Sequence, residues 1–324
     1  MMNTSTQHFN FQQSKLERVD IQDLFFCHKS PVEVFIYSDH YEKVKKQNDK
    51  LDKNFFLELI KKRQSSIYVY ESEIYRIYDQ VFSEVTILAR GAAKESYLEF
   101  SKKITHYLFT QQKHLLIKPL EDKLINNQMT TFKIWLSFIK KLNVRQFQEV
   151  IKNIFVSPYL IQYKKNIVSA TFLYRLLSSE NLFSENYCLN LANSCLFSEI
   201  GASLFSQANQ RDYDKIKERV YKYSGLILTL KTTLPPQNIK LIESGAALSS
   251  QNFNDVVWGQ ETYYFAASYY LCEKVFKARE INLKDDLATL KSQLPQEYNS
   301  EFKNIVSRAV EFFGKTKLPD QMTR

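Results

Sequence analysis

No histidine follows position 114. All five (His8, His28, His40, His106 and His114) precede residue 115 of the 324, so the second half of the chain lacks the commonest metal-binding side chain. Glycine and proline are also scarce, at six and seven residues. Sheet-rich folds need many tight turns, so this scarcity points to long helices joined by short polar loops. The six glycines never cluster, which excludes a glycine-rich phosphate loop, and no G-x-S-x-G elbow occurs. Cys27, Cys188, Cys195 and Cys272 include no C-x-x-C pair, so the short ligand spacing of structural zinc is missing. A reducing compartment fits such cysteines. Cys188 and Cys195, seven apart, read as small buried apolar residues on one helix face. The polar start, Met1 to His8, leads into no apolar signal core. No later stretch approaches the roughly 20 apolar residues of a membrane span. The expected location is therefore cytoplasmic, with no membrane span.

What is present is core material. The chain is 44% hydrophobic, with 24 Phe and 20 Tyr, which argues against wholesale disorder. Its length allows two domains, or one large helical domain with an appendage. The net charge is +9, from 44 Lys and Arg against 35 Asp and Glu. Acids are interspersed with the bases in Glu42-Lys43-Val44-Lys45-Lys46 and Glu58-Leu59-Ile60-Lys61-Lys62-Arg63. That mixture reads as solvated helix faces. A nucleic-acid or anionic-membrane surface is the sharper alternative.

The first 90 or so residues read as mixed structure by periodicity and turn signals. Val32 to Tyr37 looks like a strand. Asn48 to Asp52 then turns into a helix with Phe55, Phe56, Leu59 and Ile60 on one side, and Ser65 to Tyr70 looks like a second strand. From about Ala92 onward the pattern is helical. Leu120, Leu124, Phe132, Trp135, Leu136 and Ile139 recur at helical spacing, as do Ile216, Val220, Tyr223, Ile227 and Leu230. Near the end, Phe302, Ile305, Val306, Ala309 and Phe313 define one more buried face, and Pro235-Pro236 separates two helices. The expected fold class is mainly α, with a small α/β domain at 1–90, a helical connector at 91–150 and a helical domain at 151–324.

Several stretches of the helical half follow one family's order. Tyr163-Lys164-Lys165-Asn166-Ile167 comes first, then Leu196-Phe197-Ser198-Glu199-Ile200-Gly201-Ala202, then Tyr221-Lys222-Tyr223-Ser224-Gly225. Pro236 to Ala247 and Leu271 to Ala278 complete the series. Together they resemble an HD-GYP domain, the metal-dependent cyclic-di-GMP phosphodiesterase family, with Gly201 and Gly225 where that family has structural glycines. Tyr41-Glu42-Lys43-Val44, Asp49 to Asp52 and Ile67-Tyr68-Val69 similarly resemble the small domain that precedes some HD-GYP domains. The resemblance implies an HD-type helical bundle after a small α/β domain.

It also implies a lost metal centre. In this register Tyr163 stands in place of the first histidine, and Ser198-Glu199 in place of the His-Asp pair. Tyr221 replaces the next histidine, Gly245-Ala246 the His-His pair, and Lys274 the late aspartate. A di-metal site needs imidazoles and carboxylates converging on two cations that activate a water. Glu199 alone does not supply that, and Lys274 adds positive charge. Ser249 to Phe253 occupies the region of the Gly-Tyr-Pro loop.

Other features have simpler readings. His106 and His114, eight apart, could share a helix face as a metal or acid/base pair, but surface or packing histidines are the commoner outcome. Tyr263-Tyr264 and Tyr269-Tyr270 could stack on a base beside Lys274 and Lys277, though packing into the core or against a partner is the stronger reading. Tyr68, Tyr70, Tyr75 and Tyr78 carry the same alternatives, a sheet edge or a dimer surface.

The sequence thus predicts a non-enzymatic, cofactor-free, HD-GYP-like signalling or scaffold protein of a bacterial cytoplasm. It would act through protein partners, a homodimer among them. The alternative is a metal-free sensor of cyclic-di-GMP or another nucleotide, held by a vestigial cleft of Tyr163, Ser198, Glu199, Tyr221 and Lys274. A basic helical nucleic-acid binder is the third reading, and nucleic acid is the partner the interspersed charge supports least. The metal-free HDOD type of HD relative would also suit a signalling role.

Overall fold

Alternation builds the first part of the molecule. In β4 (Ser66–Tyr70) Ile67 and Val69 are fully buried, while Tyr68 and Tyr70 point to the other face and are only half-buried. This strand pairs antiparallel with β1 (Leu16–Asp20) and with β2 (Val34–Tyr37), and β3 (Tyr41–Lys45) pairs antiparallel with β2. The order β1-β4-β2-β3 leaves β1 and β3 at the edges. Both edge strands escaped the sequence reading because they are charge-rich, LERVD and YEKVK. Charge on an edge discourages further strand pairing, and it also hides the strand from a hydrophobicity pattern.

Between β3 and β4 lies α1 (Lys53–Lys61), which starts where the turn signals placed it. Asn48 takes a positive φ of 69°, and the Asp52 side chain accepts a 3.0 Å hydrogen bond from the Phe55 N–H as the N-cap. The expected buried face is corrected in part. Phe55 and Leu59 are buried, but Ile60 is exposed and Phe56 packs edge-on against Phe25. Residues 55 and 59 lie one turn apart, whereas 56 and 60 are rotated about 100° away from them. After β4 comes α2 (Ile74–Gly91), which buries Ile77, Tyr78, Val81 and Val85 and leaves Tyr75 exposed.

The computed structural model describes residues 15–25, 27–91, 96–117, 122–157, 161–180, 183–201, 213–243, 260–277 and 300–314. It divides into two compact units, Met1–Arg90 and Gly91–Arg324. Among the described residues of the second unit the regular elements are helices: α3 (Tyr97–Ile117), α4 (Asp122–Lys141), α5 (Val144–Val156), α6 (Ile161–Glu180), α7 (Glu185–Phe197), α8 (Tyr213–Lys231), α9 (Pro236–Glu243), α10 (Gln260–Lys277) and α11 (Ser300–Gly314). The pairs α3–α4, α6–α7, α6–α10, α8–α9 and α10–α11 pack most closely.

Helical spacing located several of these faces. Leu124, Phe132, Trp135, Leu136 and Ile139 are all buried on α4, and the Trp135 indole N–H donates to Thr171 Oγ1 at 2.9 Å. Phe302, Ile305, Val306 and Ala309 are buried on α11, and Pro236 opens α9. Leu120 lies outside the described residues, as do the side chains of Ile216 and Phe313. The expected face of α8 needs correction. Val220 and Ile227 are buried, joined by Tyr221, Ser224 and Leu228, but Tyr223 and Leu230 are exposed. This helix has two apolar sides, and the four-and-three spacing mixed them. All four cysteines are buried and unpaired with one another.

Candidate functional site

Among the described residues of the second unit, the end of α7 forms the longest uninterrupted buried stretch, from Leu191 to Gly201. Ser198 follows the last helical residue, and its hydroxyl donates back to the Cys195 carbonyl at 2.9 Å. The Tyr269 hydroxyl on α10 lies against the same carbonyl at 3.1 Å and against the Ser198 hydroxyl. Two hydroxyl protons thus face two acceptors. Either hydroxyl can donate to the carbonyl while the other donates to its neighbour, so the trio closes on itself.

Burial around the Tyr269 hydroxyl pushes its pKa well above the ordinary tyrosine value, with Cys195, Tyr221 and Glu199 adding to the rise. The Tyr269 side chain as a whole is half-buried. A phenol held protonated is a poor metal ligand and a poor base at neutral pH. Tyr221 is only 2% exposed, and Glu199 is also buried. Cys195 completes the surroundings with an Sγ–Oγ contact of 3.6 Å to Ser268, and burial pushes its thiol above the usual range.

A second set of bonds locks α7 to α8. The Gly201 N–H donates to Ser224 Oγ at 2.8 Å, and that hydroxyl donates to the Val220 carbonyl at 2.8 Å. A Cβ on residue 201 would stand 2.4 Å from the Val220 oxygen and 2.7 Å from the Ser224 nitrogen, so only glycine fits this approach. At residue 225 a Cβ would meet the Glu243 side chain, its Cγ nearest.

Of the five residues assigned to a vestigial cleft, the structure brings Ser198, Glu199 and Tyr221 together around Tyr269. Tyr163 and Lys274 lie on α6 and α10, and their side chains fall outside the described residues. Those helices touch where Cys272 Sγ meets the Lys165 carbonyl at 3.5 Å, two residues along from each. Gly245-Ala246 and the Ser249–Phe253 stretch are outside the described residues too. Sequence reasoning missed Tyr269 as a member of this group, since it stood among several tyrosine pairs with nothing to single it out. It also missed Ser224, although the scarce glycines beside it were a usable signal.

His106 and His114 are both buried on α3. Burial first, and Lys113 second, pull the His106 pKa down to about 3, so its imidazole is neutral. The buried Lys164 ammonium donates to the carbonyls of Phe155, at 2.8 Å, and of Ser157 at the end of α5, where a cation suits the helix dipole. Burial lowers its pKa.

Among the described residues, no group of three or more His, Cys, Asp and Glu side chains could hold a metal ion. The donors gathered here are neutral hydroxyls and one carboxylate, and they do not fit a di-metal centre. No described helix is long and apolar enough to cross a membrane.

This architecture is mainly α, an HD-type helical bundle preceded by a small α/β domain. Among solved structures the chain is similar to Bd1817, an HDG"Y"P protein from Bdellovibrio bacteriovorus. The TM-score is 0.62 at 8% sequence identity, over 92% of this chain and the whole of that one. At that identity the likeness is one of fold. No family model matches the sequence, and no curated protein does.

Proposed function

We propose that this is an HD-GYP-like protein that has lost metal-dependent phosphodiester hydrolysis and acts through protein–protein contact. The observation that carries the reading is the closed Ser198–Tyr269–Cys195 group. It contains Ser198, which the resemblance sets in place of the histidine of the histidine-aspartate pair, and it gathers neutral hydroxyls and a carbonyl where a di-metal centre needs imidazoles and carboxylates. Glu199 and Tyr221, buried beside it, add one carboxylate and one hydroxyl.

The contact half of the reading rests on α8. Tyr223, Leu226 and Leu230 are 41%, 51% and 66% exposed and recur at steps of three and four. That is the spacing of a helix seam. A second copy of the chain is the first partner to test, because a C2 pairing sets such a stripe against itself. Burial of Ser198, Glu199 and Tyr221 weighs against the sensor alternative, since a ligand would need those side chains to open.

The test uses purified, metal-analysed protein given manganese or ferrous iron and a phosphodiester, cyclic-di-GMP included. The expected result is no turnover. Metal-dependent hydrolysis abolished by Glu199→Gln would overturn the reading, and saturable calorimetric binding of cyclic-di-GMP without metal would replace it with the sensor. Light scattering on Leu226→Asp then examines contact: a self-associated chain becomes monomeric if α8 is the seam.

A further inference from the structure

The outer face of the first unit's sheet is aromatic where water would normally meet polar side chains. Tyr37, Tyr41 and Tyr68 form a trio with ring centroids 5.0 to 6.4 Å apart and planes inclined by 57° to 73°. Phe35 and Tyr70 continue the row at 5.3 Å. Tyr37 and Tyr41 are 47% and 48% exposed in the whole chain. The strand register explains the clustering, because Tyr37 pairs with Tyr41 and Phe35 with Tyr68 across neighbouring strands. Cross-strand partners share a face.

Two cations flank the rings. Arg18 stands opposite Tyr68 in the ladder, with its Nε–H donating to Ser66 Oγ at 2.7 Å. The Lys43 ammonium lies 5.6 Å from the Phe35 centroid and 2.7 Å from Glu33. Rings with cations on both sides are what a chain of bases and phosphates requires, by stacking and by charge pairing.

Size narrows the occupant. Four strands of about five residues span roughly 19 Å by 17 Å, or about 320 Å² in projection. That extent is sufficient for two or three stacked nucleotides. From the ring cluster, its flanking cations and its area we infer that the outer sheet face binds a short single-stranded nucleic acid. This goes beyond the function proposed above and concerns the other unit. It also departs from the expectation drawn from charge, because the rings, and not the overall excess of lysine, are what select the ligand.

Fluorescence anisotropy of a labelled single-stranded octanucleotide, as RNA and as DNA, with the whole chain at low salt tests the inference. Saturable binding is expected. It should weaken about five- to a hundred-fold in a Tyr37→Ala, Tyr41→Ala variant, survive Tyr41→Phe, and fall as salt rises. Both rings are half exposed, so circular dichroism of the double variant should match the parent. Absence of saturable binding overturns the inference, and so does binding indifferent to the double variant, which would place the ligand on the basic helical unit. Preferential binding of a proline-rich peptide, or a self-association that the double variant abolishes, would also overturn it in favour of a protein partner.

Discussion

Residues 1–90 carry 13 Lys and Arg against 13 Asp and Glu, whereas residues 91–324 carry 31 against 22. The entire net charge of +9 therefore belongs to the helical unit. The interiors differ as well. Among its described residues the first unit buries Asp23, Ser30, Ser66 and Glu84 as its polar residues. In the second, α3 alone buries His106, Thr110, Gln111, Gln112 and His114. A strand sends alternate residues to opposite faces, so the polar ones escape to water. A helix with neighbours on every side buries whatever points in each direction. The contrast teaches that hydrophobic pattern organises the first unit, while helix-on-helix contact organises the second and tolerates polar residues inside.

Five substitutions would break or sharpen this comparison. The largest effect is expected from Trp135→Ala, which removes a fully buried indole and its bond to Thr171. It should cost about 3–5 kcal/mol, read by urea unfolding. Hydrogen exchange should show lost protection across the helices with the sheet unchanged, and equal loss in both units would dissolve the distinction. Next comes Gly201→Ala, whose methyl meets Val220 and Ser224 backbone atoms. About 1–3 kcal/mol of destabilisation is expected, and an unchanged melting temperature would mean that α7 and α8 can separate cheaply.

Acid should then act on the helical unit through His106. Its pKa is depressed in the fold to about 3 by burial, against an unfolded value of about 6.5. Below about 6.5 the unfolded chain takes up a proton that the folded chain refuses. The stabilising contribution is thus complete above 6.5 and declines progressively as pH falls towards 3. Stability measured against pH should flatten over that window in His106→Gln, whose amide carries no titrating proton. A parallel curve would assign the acid sensitivity to other groups.

The smallest effects test the helix caps, one in each unit. Asp52 caps α1, and Asn143 forms a reciprocal capping box with Gln146 at α5. Alanine at either should cost about 0.5–2 kcal/mol. The loss should be confined to the unit that holds the cap.

How far the site was legible follows the same division. Gly201, Ser198, Glu199 and Tyr221 were recognisable by order along the chain, because a close helix approach requires glycine whatever else changes. Tyr269 was not, since a tyrosine among tyrosines has no distinguishing neighbour until α10 is laid against α7. Likewise the helical spacing that Tyr223 and Leu230 share with Val220 and Ile227 does not say which of two apolar sides a neighbour covers.

By itself the sequence determined the class of the protein: helices from the shortage of glycine and proline, a small α/β start from alternation and turn residues, and the missing imidazoles of the second half. These are local properties, carried by residue type and period. Only the tertiary structure decided that two hydroxyls and a carbonyl close on one another at the end of α7, and that five rings from three strands gather on one sheet face. Those arrangements join residues 71 apart along the chain at Ser198 and Tyr269, and 27 apart at Tyr41 and Tyr68. Such distant residues meet only through the packing of whole elements, which no local pattern encodes.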